Sequence, residues 1–424
     1  MESAQIAIPM LRQLVKRPRV LDVFARFDRW GNLFAPERYS YPYPLWERCR
    51  ADGPIVKRMT YGGWVVTGYD EARLVLSSEH SSVGESIDTL FKIKPYNKLS
   101  ADSRNLLRQM LLFQDGEPHA RLRRLVSRTF TPRAVARLRP MAETIATELA
   151  EAAASGPHDA VIAFASPFPV RVISALLGVP EERWEWAHHN AKIIIQMIDP
   201  INNFDPDEIN PAVDEILTYF TELAAERRAE PTDDLLSGLV VPDDDGDELE
   251  HRELMSMMGI LYFAGFETTS NVLGNSIVAL AANPDQRELI RNQPELWPNA
   301  AEELLRYDPA IQIVNRTITH DVEIGGEHLK AGELAAVLLG AANRDPRQGS
   351  DLHDLRLDRD HPQSVSFGHG VHHCLGAAIA RLEIEVGMKT YLDVMGDYTV
   401  DTNGTEWKRS VSLKGPTRLP VTPG

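Results

Sequence analysis

The chain has 424 residues, 43% hydrophobic and 25% charged, an ordinary globular composition that excludes disordered and fibrous classes. Its 45 Lys and Arg against 61 Asp and Glu leave a net charge of -16, which disfavours nucleic acid or anionic membrane as a general partner. Two cysteines, Cys49 and Cys374, cannot build a disulfide framework and point to a reducing, cytoplasmic setting.

The first 21 residues, MESAQIAIPMLRQLVKRPRVL, carry an apolar patch shorter than the ~7–15 residues of a secretion signal, and basic residues follow it. Pro54 to Tyr69 alternates around Gly62-Gly63, which predicts a hairpin. Apolar residues at three- and four-residue spacing predict helices over His119–Phe130, Arg133–Ala154, Asp214–Ala229, Glu250–Ala282, Pro298–Tyr307 and Leu375–Met395. Within the longest, Met255 to Ala282 is interrupted by Glu267, Thr268, Thr269, Ser270, Asn271 and Asn275, so it reads as a buried core helix, with no membrane span expected. Val322 to Leu339 has a second Gly-Gly turn between strands, and Tyr398 to Leu413 ends the chain with strand-like alternation. The loop Pro242 to Glu250, PDDDGDELE, tempts a calcium reading, but Val241 and Arg252 stand where an EF-hand loop needs carboxylates. It reads as a solvated acidic turn. No repeat or low-complexity linker divides the sequence, which predicts one domain over residues 1–424, mainly α with small β-sheets.

The densest cluster of chemistry-bearing residues is SFGHGVHHCLGAAIAR, Ser366 to Arg381. A glycine-rich turn delivers Cys374 just before an amphipathic helix starting near Leu375, where backbone N–H groups and the positive helix end stabilise a thiolate. Gly368, Gly370 and Gly376 let the backbone approach a flat, bulky partner, a pattern that suits a metal-bound thiolate. A lone cysteine is more often a small buried hydrophobe, although the flanking glycines and histidines weigh against that here. A zinc site from His369, His372, His373 and Cys374 is a further alternative; side chains this close in a short turn rarely converge tetrahedrally, and no second ligand pair has zinc spacing.

Phe367, Gly368, Gly370, His372, Cys374 and Gly376 satisfy every position of F-G-x-G-x-[HR]-x-C-x-G, so this segment strongly resembles the haem-binding loop of the cytochrome P450 family. The resemblance implies that Cys374 is the proximal ligand of haem iron, that Phe367 packs near its sulfur and that His372 reaches a haem propionate. Ala264 to Ser270, AGFETTS, matches the family's [AG]-G-x-[DE]-T-[TS]. There the acid and alcohol, here Glu267 and Thr268, relay protons for oxygen activation, while small Ala264 and Gly265 leave room beside the haem. By itself ETTS is also compatible with packed threonines bonded to carbonyls four residues back. Glu303-Leu-Leu-Arg306 matches the family's E-x-x-R, which implies a buried structural network; alone it would be a commonplace surface pair. Either Arg356 or Arg359 is expected to complete that network, because Gly349 and Leu355 replace the phenylalanines that usually mark the third member.

Two carboxylates on a haem need cationic partners, and the resemblance assigns His119 and Arg123 of an H-x-x-x-R stretch, Arg316 and His372 to them. Each of these residues alone would read as solvated. The resemblance, to soluble bacterial members, implies a single-domain triangular P450 fold with haem b (iron protoporphyrin IX). It further implies a monooxygenase that inserts one oxygen atom from O2 into a lipophilic small molecule, fed by a separate ferredoxin and NAD(P)H-dependent ferredoxin reductase. Arg121, Arg124 and Arg128 are candidates for the partner-docking face. Met110, Leu111 and Ile194 on the cavity roof, and Leu261, Ile313, Val314 and Val411 on its walls, are expected to line a hydrophobic pocket; core packing accounts for the same residues equally well.

Overall fold

The computed structural model describes residues 37–58, 63–77, 79–84, 87–92, 94–198, 204–410 and 412–424. Among them, the helices of eight residues or more are α1 (Tyr43–Arg50), α2 (Tyr69–Leu76), α3 (Ala101–Gln109), α4 (Gly116–Ser127), α5 (Pro132–Ala153), α6 (Pro167–Leu176), α7 (Trp184–Ile194), α8 (Pro206–Ala229), α9 (His251–Ala282), α10 (Pro284–Asn292), α11 (Trp297–Tyr307) and α12 (Ala377–Met395). The chain forms two compact units: one holds Val83–Leu138 and Pro169–Glu267, the other the described residues up to Ser82, Arg139–Phe168 and Thr268–Gly424.

The first unit is built from helices. Ser100 caps α3 by accepting the Ser103 N–H at 3.1 Å, and Asp205 caps α8 ahead of a proline at its first position, where a missing N–H costs nothing. Asn210 ties the two helices together, its side-chain oxygen accepting from the Ser100 N–H and the Ser103 hydroxyl, both at 2.9 Å. The Asp205 cap is why α8 starts at Pro206, eight residues before the apolar periodicity becomes regular at Asp214. The core is aromatic: Tyr96 packs edge-on against Phe204 and donates its hydroxyl to the Met197 carbonyl at 2.8 Å, while the Tyr262 hydroxyl meets Ser174 at 3.0 Å. These bonds satisfy the polar tips that burial would otherwise strand.

Among the described residues, all the strands lie in the second unit. A five-stranded sheet runs in the order β1 (Ile55–Arg58), β2 (Gly63–Val66), β8 (Leu334–Leu338), β5 (Ile313–Ile318), β3 (Ser81–Ser82), with β2 and β8 parallel and the other pairs antiparallel. Its buried face packs Trp64, Val66, Ile318 and Val337 against Ala72, Val75 and Leu76 of α2. The turn of the first predicted hairpin falls outside the described residues. The second hairpin pairs β6 (Val322–Ile324) with β7 (Glu327–Leu329) through Gly325 and Gly326, whose φ angles of +61° and +82° are those a two-residue hairpin turn demands and glycine supplies freely. Among the described residues of the C-terminal alternation, β9 (Tyr398–Val400) and β10 (Glu406–Trp407) are strands; they pair with β12 (Pro420–Pro423), whose other edge takes β4 (His158–Asp159), and with β11 (Pro416–Arg418), and β11 and β12 carry too many prolines and too little alternation to read as strands.

α12 packs on aromatic residues from the first turn of α6 and the segment before it. Phe168 is fully buried, lies nearly parallel to Phe164 at 5.7 Å, and sits where a side chain at Gly387 of α12 would come within 2.8 Å of its ring. Phe164 in turn meets Tyr391 of α12 at 4.9 Å. Phe168→Ala opens a cavity beneath α12, and the expected loss is about 3–5 kcal/mol, read as a lower urea midpoint followed by far-UV circular dichroism.

Candidate functional site

The cysteine loop is closed by its own backbone. Gly368 donates to the Val365 carbonyl at 2.8 Å, His373 to Gly370 at 3.0 Å and Cys374 to Phe367 at 2.8 Å. Gly368 and Gly370 take φ values of +74° and +72°, left-handed conformations that side chains with a Cβ resist. The result is an exposed Cys374 sulfur at the start of α12, a 19-residue helix whose first turn has no side-chain cap at Gly376. Uncapped N–H groups and the helix dipole favour a thiolate there. A Cβ built on Gly376 meets nothing within 4 Å, so the backbone beside the sulfur is open to a large flat ligand. An accessible sulfur in an open, glycine-walled cradle fits a haem held through its iron.

The base of this loop is fixed by a side chain that motif reading passes over. Asn343 accepts the Val365 N–H at 2.8 Å and donates to the Ser366 hydroxyl at 2.8 Å and to the Arg306 carbonyl at 3.2 Å. Ser366 also donates to the Leu305 carbonyl at 2.8 Å, so α11 and the cysteine loop share two polar clamps. Nothing but Asn343's position in the Asn343-Arg344-Asp345-Pro346 run marks it in sequence. The Phe367 ring lies against His373 and under the guanidinium of Arg381, 4.6 Å away.

Glu303 and Arg306 are both fully buried and bond in two places, at 2.6 and 2.8 Å. Arg306 spends its remaining donors on the carbonyls of Asn343, Leu352 and Asp354 at 3.0, 2.8 and 3.2 Å. The third member is Arg359: its Nε lies 3.1 Å from Glu303 and its Nη1 2.8 Å from Asp351. Arg356 gives Glu303 only its backbone N–H, at 3.0 Å, while its guanidinium turns outward to Asp351 and Asp358.

On α9 the expected residues form a distinct face. Leu261, Ala264, Gly265 and Thr268, spaced i, i+3, i+4, i+7, are exposed or half-buried, whereas Tyr262, Phe263 and Phe266 between them are buried. The helix is a regular α-helix throughout. Gly265 serves packing, since a Cβ there would lie 2.8 Å from Ile173 of α6. Glu267 is 8% exposed, the one acid in the middle of this helix. The next residue after Thr268 brings in a group the sequence did not flag: the Thr269 hydroxyl donates to Glu383 of α12 at 3.0 Å, and both are buried. Burial pushes the Glu383 carboxyl up to about 8, against the smaller downward pull of Thr269, so it is neutral at pH 7.

The other expected contacts are placed as follows. His119 is buried on α4 with Arg123 one turn on; Arg316 sits on β5 opposite Ala335 and donates to the Asn315 carbonyl at 2.9 Å; His372 ends the short turn of the cysteine loop. Met110, Leu111, Ile194 and Ile313 are buried, Leu261 and Val314 half-buried, and Val411 lies outside the described residues. Arg121, Arg124 and Arg128, the candidates for partner docking, are each engaged by the segment from Gly238 to Glu253: the loop expected to be a solvated turn supplies Asp243 and Asp247, and α9 supplies Glu253.

The cytochrome P450 family model matches residues 158–395. The 6-deoxyerythronolide B hydroxylase of Saccharopolyspora erythraea is 36% identical over 89% of this chain and 95% of its own length, and the vitamin D(3) 25-hydroxylase of Pseudonocardia autotrophica is 34% identical over 93% and 96%. A solved structure of P450BioI in complex with a fatty-acid-ligated acyl carrier protein superposes with a TM-score of 0.83 at 32% identity, covering 92% of this chain and 100% of that one. The chain belongs to the cytochrome P450 family. Its fold is the P450 fold, mainly helical with small sheets, and it is a haem-dependent monooxygenase of lipophilic small molecules. Among the described residues no helix of this P450 is long and apolar enough to cross a membrane.

Removing Arg359 leaves a buried Glu303 charge short of one partner, so Arg359→Gln is expected to cost about 3 kcal/mol in urea unfolding, whereas Arg356→Gln, at a half-exposed surface pair, costs less than about 1 kcal/mol. For Glu383 the folded value lies above the ordinary 4.5, so the native state holds a proton that the unfolded chain releases, and stability falls as pH rises between about 4.5 and about 8. Glu383→Gln keeps the Thr269 bond without that proton. Its stability relative to the parent protein should therefore climb across that window; a difference flat with pH refutes the assignment.

Proposed function

We propose that Cys374, as thiolate, ligates the iron of a b-type haem, and that His119, Arg123, Arg316 and His372 hold its propionates. The exposed sulfur at the uncapped start of α12 is the observation that carries this reading. Bound there, the haem supplies the iron chemistry that splits dioxygen and places one oxygen atom in the substrate. The protein's share is to hold the thiolate against protonation, which the helix dipole and the loop N–H groups do, and to present Phe367 and the glycines on the sulfur side.

Reduction of one oxygen atom to water consumes two electrons and two protons, and Glu267 and Thr268 manage the protons in this reading. A nearly buried carboxylate, next in sequence to a hydroxyl on the accessible stripe of α9, can take a proton from outside and pass it through the hydroxyl with little loss to bulk water. Ala264 keeps that stripe low, leaving room beside the haem for O2, while Gly265 lets Ile173 of α6 close against the same helix. Leu261, Met110, Leu111, Ile194, Ile313, Val314 and Val411 give the substrate an apolar lining.

In this reading the electrons come from a separate ferredoxin and its NAD(P)H-dependent reductase, as the resemblance to bacterial members implies. Both units act as one P450 domain over residues 1–424, since the curated relatives span 86–95% of this chain; the cysteine usage suits a cytoplasmic enzyme. The names of the relatives differ in substrate, from 6-deoxyerythronolide B to vitamin D(3), and support lipophilicity as their shared property.

The reduced protein under carbon monoxide should show the red-shifted Soret band of thiolate ligation; a haem spectrum without it refutes Cys374. Thr268→Ala should keep that band and substrate binding while product formed per NAD(P)H falls about tenfold and peroxide rises; tightly coupled product formation in the variant removes the proton role.

A further inference from the structure

Successive residues of an α-helix rotate by about 100°, so His119 and Arg123 occupy one side of α4, while Arg121, Arg124 and Arg128 occupy nearly the opposite side. If the first pair holds a haem propionate, as proposed above, a protein docked on the second side is separated from the haem edge by about one helix diameter, ~10 Å. That side suits an acidic electron carrier by charge alone.

It is already occupied by acid. Six of the nine residues from Pro242 to Glu250 are Asp or Glu, and the loop is built to aim two of them. Asp243 accepts the N–H groups of Asp245 and Asp247 at 3.0 and 2.8 Å, and its own N–H donates to the Asp247 carbonyl at 2.8 Å. The turn so formed points Asp247 at Arg121 (2.9 Å) and Arg124 (2.7 Å), with Asp243 also paired to Arg124. Arg121 is further held by Glu253 at 2.8 Å and by the Glu248 carbonyl at 2.7 Å, and Arg128 donates to the Gly238 carbonyl at 3.3 Å. The two main clasps differ in accessibility: the Arg121 side chain is 25% exposed, that of Arg124 51%. Exposed ion pairs are weak and exchange readily, so the Arg124 contact can be traded for another carboxylate while Arg121 keeps the loop in place.

We propose that the Pro242–Glu250 loop is an internal competitor for the acidic electron-donor protein, covering the arginine face of α4 with carboxylates that the donor must displace. The loop lowers the donor's affinity and makes docking selective for partners acidic enough to exchange with Asp243 and Asp247 at Arg124. This rests on the reading that electrons come from a separate acidic protein.

The test compares the haem-loaded protein with its Asp243→Asn/Asp247→Asn variant in calorimetric titration with a plant-type [2Fe–2S] ferredoxin at low and physiological salt. The variant should bind about fivefold to tenfold more tightly at low salt, with a steeper salt dependence, and adding Arg124→Gln should abolish the gain. Asp247→Asn alone, which leaves the Asp243 turn intact, should give part of the effect if the double variant folds poorly. Unchanged affinity and salt slope overturn the competitor role, as does a gain that survives Arg124→Gln. Turnover of the unmodified protein with that ferredoxin and its reductase judges the electron-donor reading separately: turnover without a change in binding leaves that reading standing and sinks only the loop's role.

Discussion

A carboxylate with no access to water is held between two guanidiniums, and the geometry of the cysteine loop hangs from it. Ionised Glu303 in a low-dielectric interior is tolerable only with every lone pair engaged, and it accepts from Arg306 twice, from Arg359 and from the Arg356 N–H. Arg306 is committed in turn to carbonyls of three separate residues, Asn343, Leu352 and Asp354, which fixes the irregular chain between β8 and α12. Asn343, held at its carbonyl by Arg306, then grips Val365 and Ser366 at the base of the loop that presents the sulfur. A segment with almost no regular secondary structure is thereby made rigid enough to deliver one atom to one place. Swapping the charges for apolar residues could leave stability intact, but it would remove the directional bonds that set the loop.

Helix α9 shows a second use of the same economy. The middle of α9 is mostly buried, and the stripe through Leu261, Ala264, Gly265 and Thr268 is set apart from it by being more accessible. Its polar members divide their work by direction. Thr268 lies on the accessible stripe, whereas Thr269, about 100° around the helix, bonds a buried Glu383 that stays neutral because burial penalises its ionised form more than the Thr269 bond favours it. Two adjacent threonines that look interchangeable in sequence are thus in different dielectric surroundings.

What the sequence made legible follows from where information is local. The cysteine loop and the core helices were readable because glycine placement and 3.6-residue periodicity are short-range signals: α9, α11 and α12 begin within two residues of their expected starts. Asn343 was invisible because its bonds reach residues 22, 23 and 37 positions away, and an asparagine carries no pattern that says which backbone groups it will meet. Arg356 and Arg359 could not be told apart for a related reason. They are three apart and similar in composition, and only the fold decides which guanidinium turns inward.

The acidic loop marks the limit of reading charge from sequence. Its residues lie more than 110 positions from Arg121, Arg124 and Arg128, so the run reads as a solvated turn and the arginines as part of a docking face. Bringing the two together cancels both descriptions at once. Net charge, -16 here, cannot report such cancellation, because an ion pair leaves the sum unchanged while removing two charges from the surface a partner meets. The electrostatic face of α4 is therefore a property of the folded unit, and its strength toward any partner is set by the difference between that partner's carboxylates and the three the protein has already placed there, Asp243, Asp247 and Glu253.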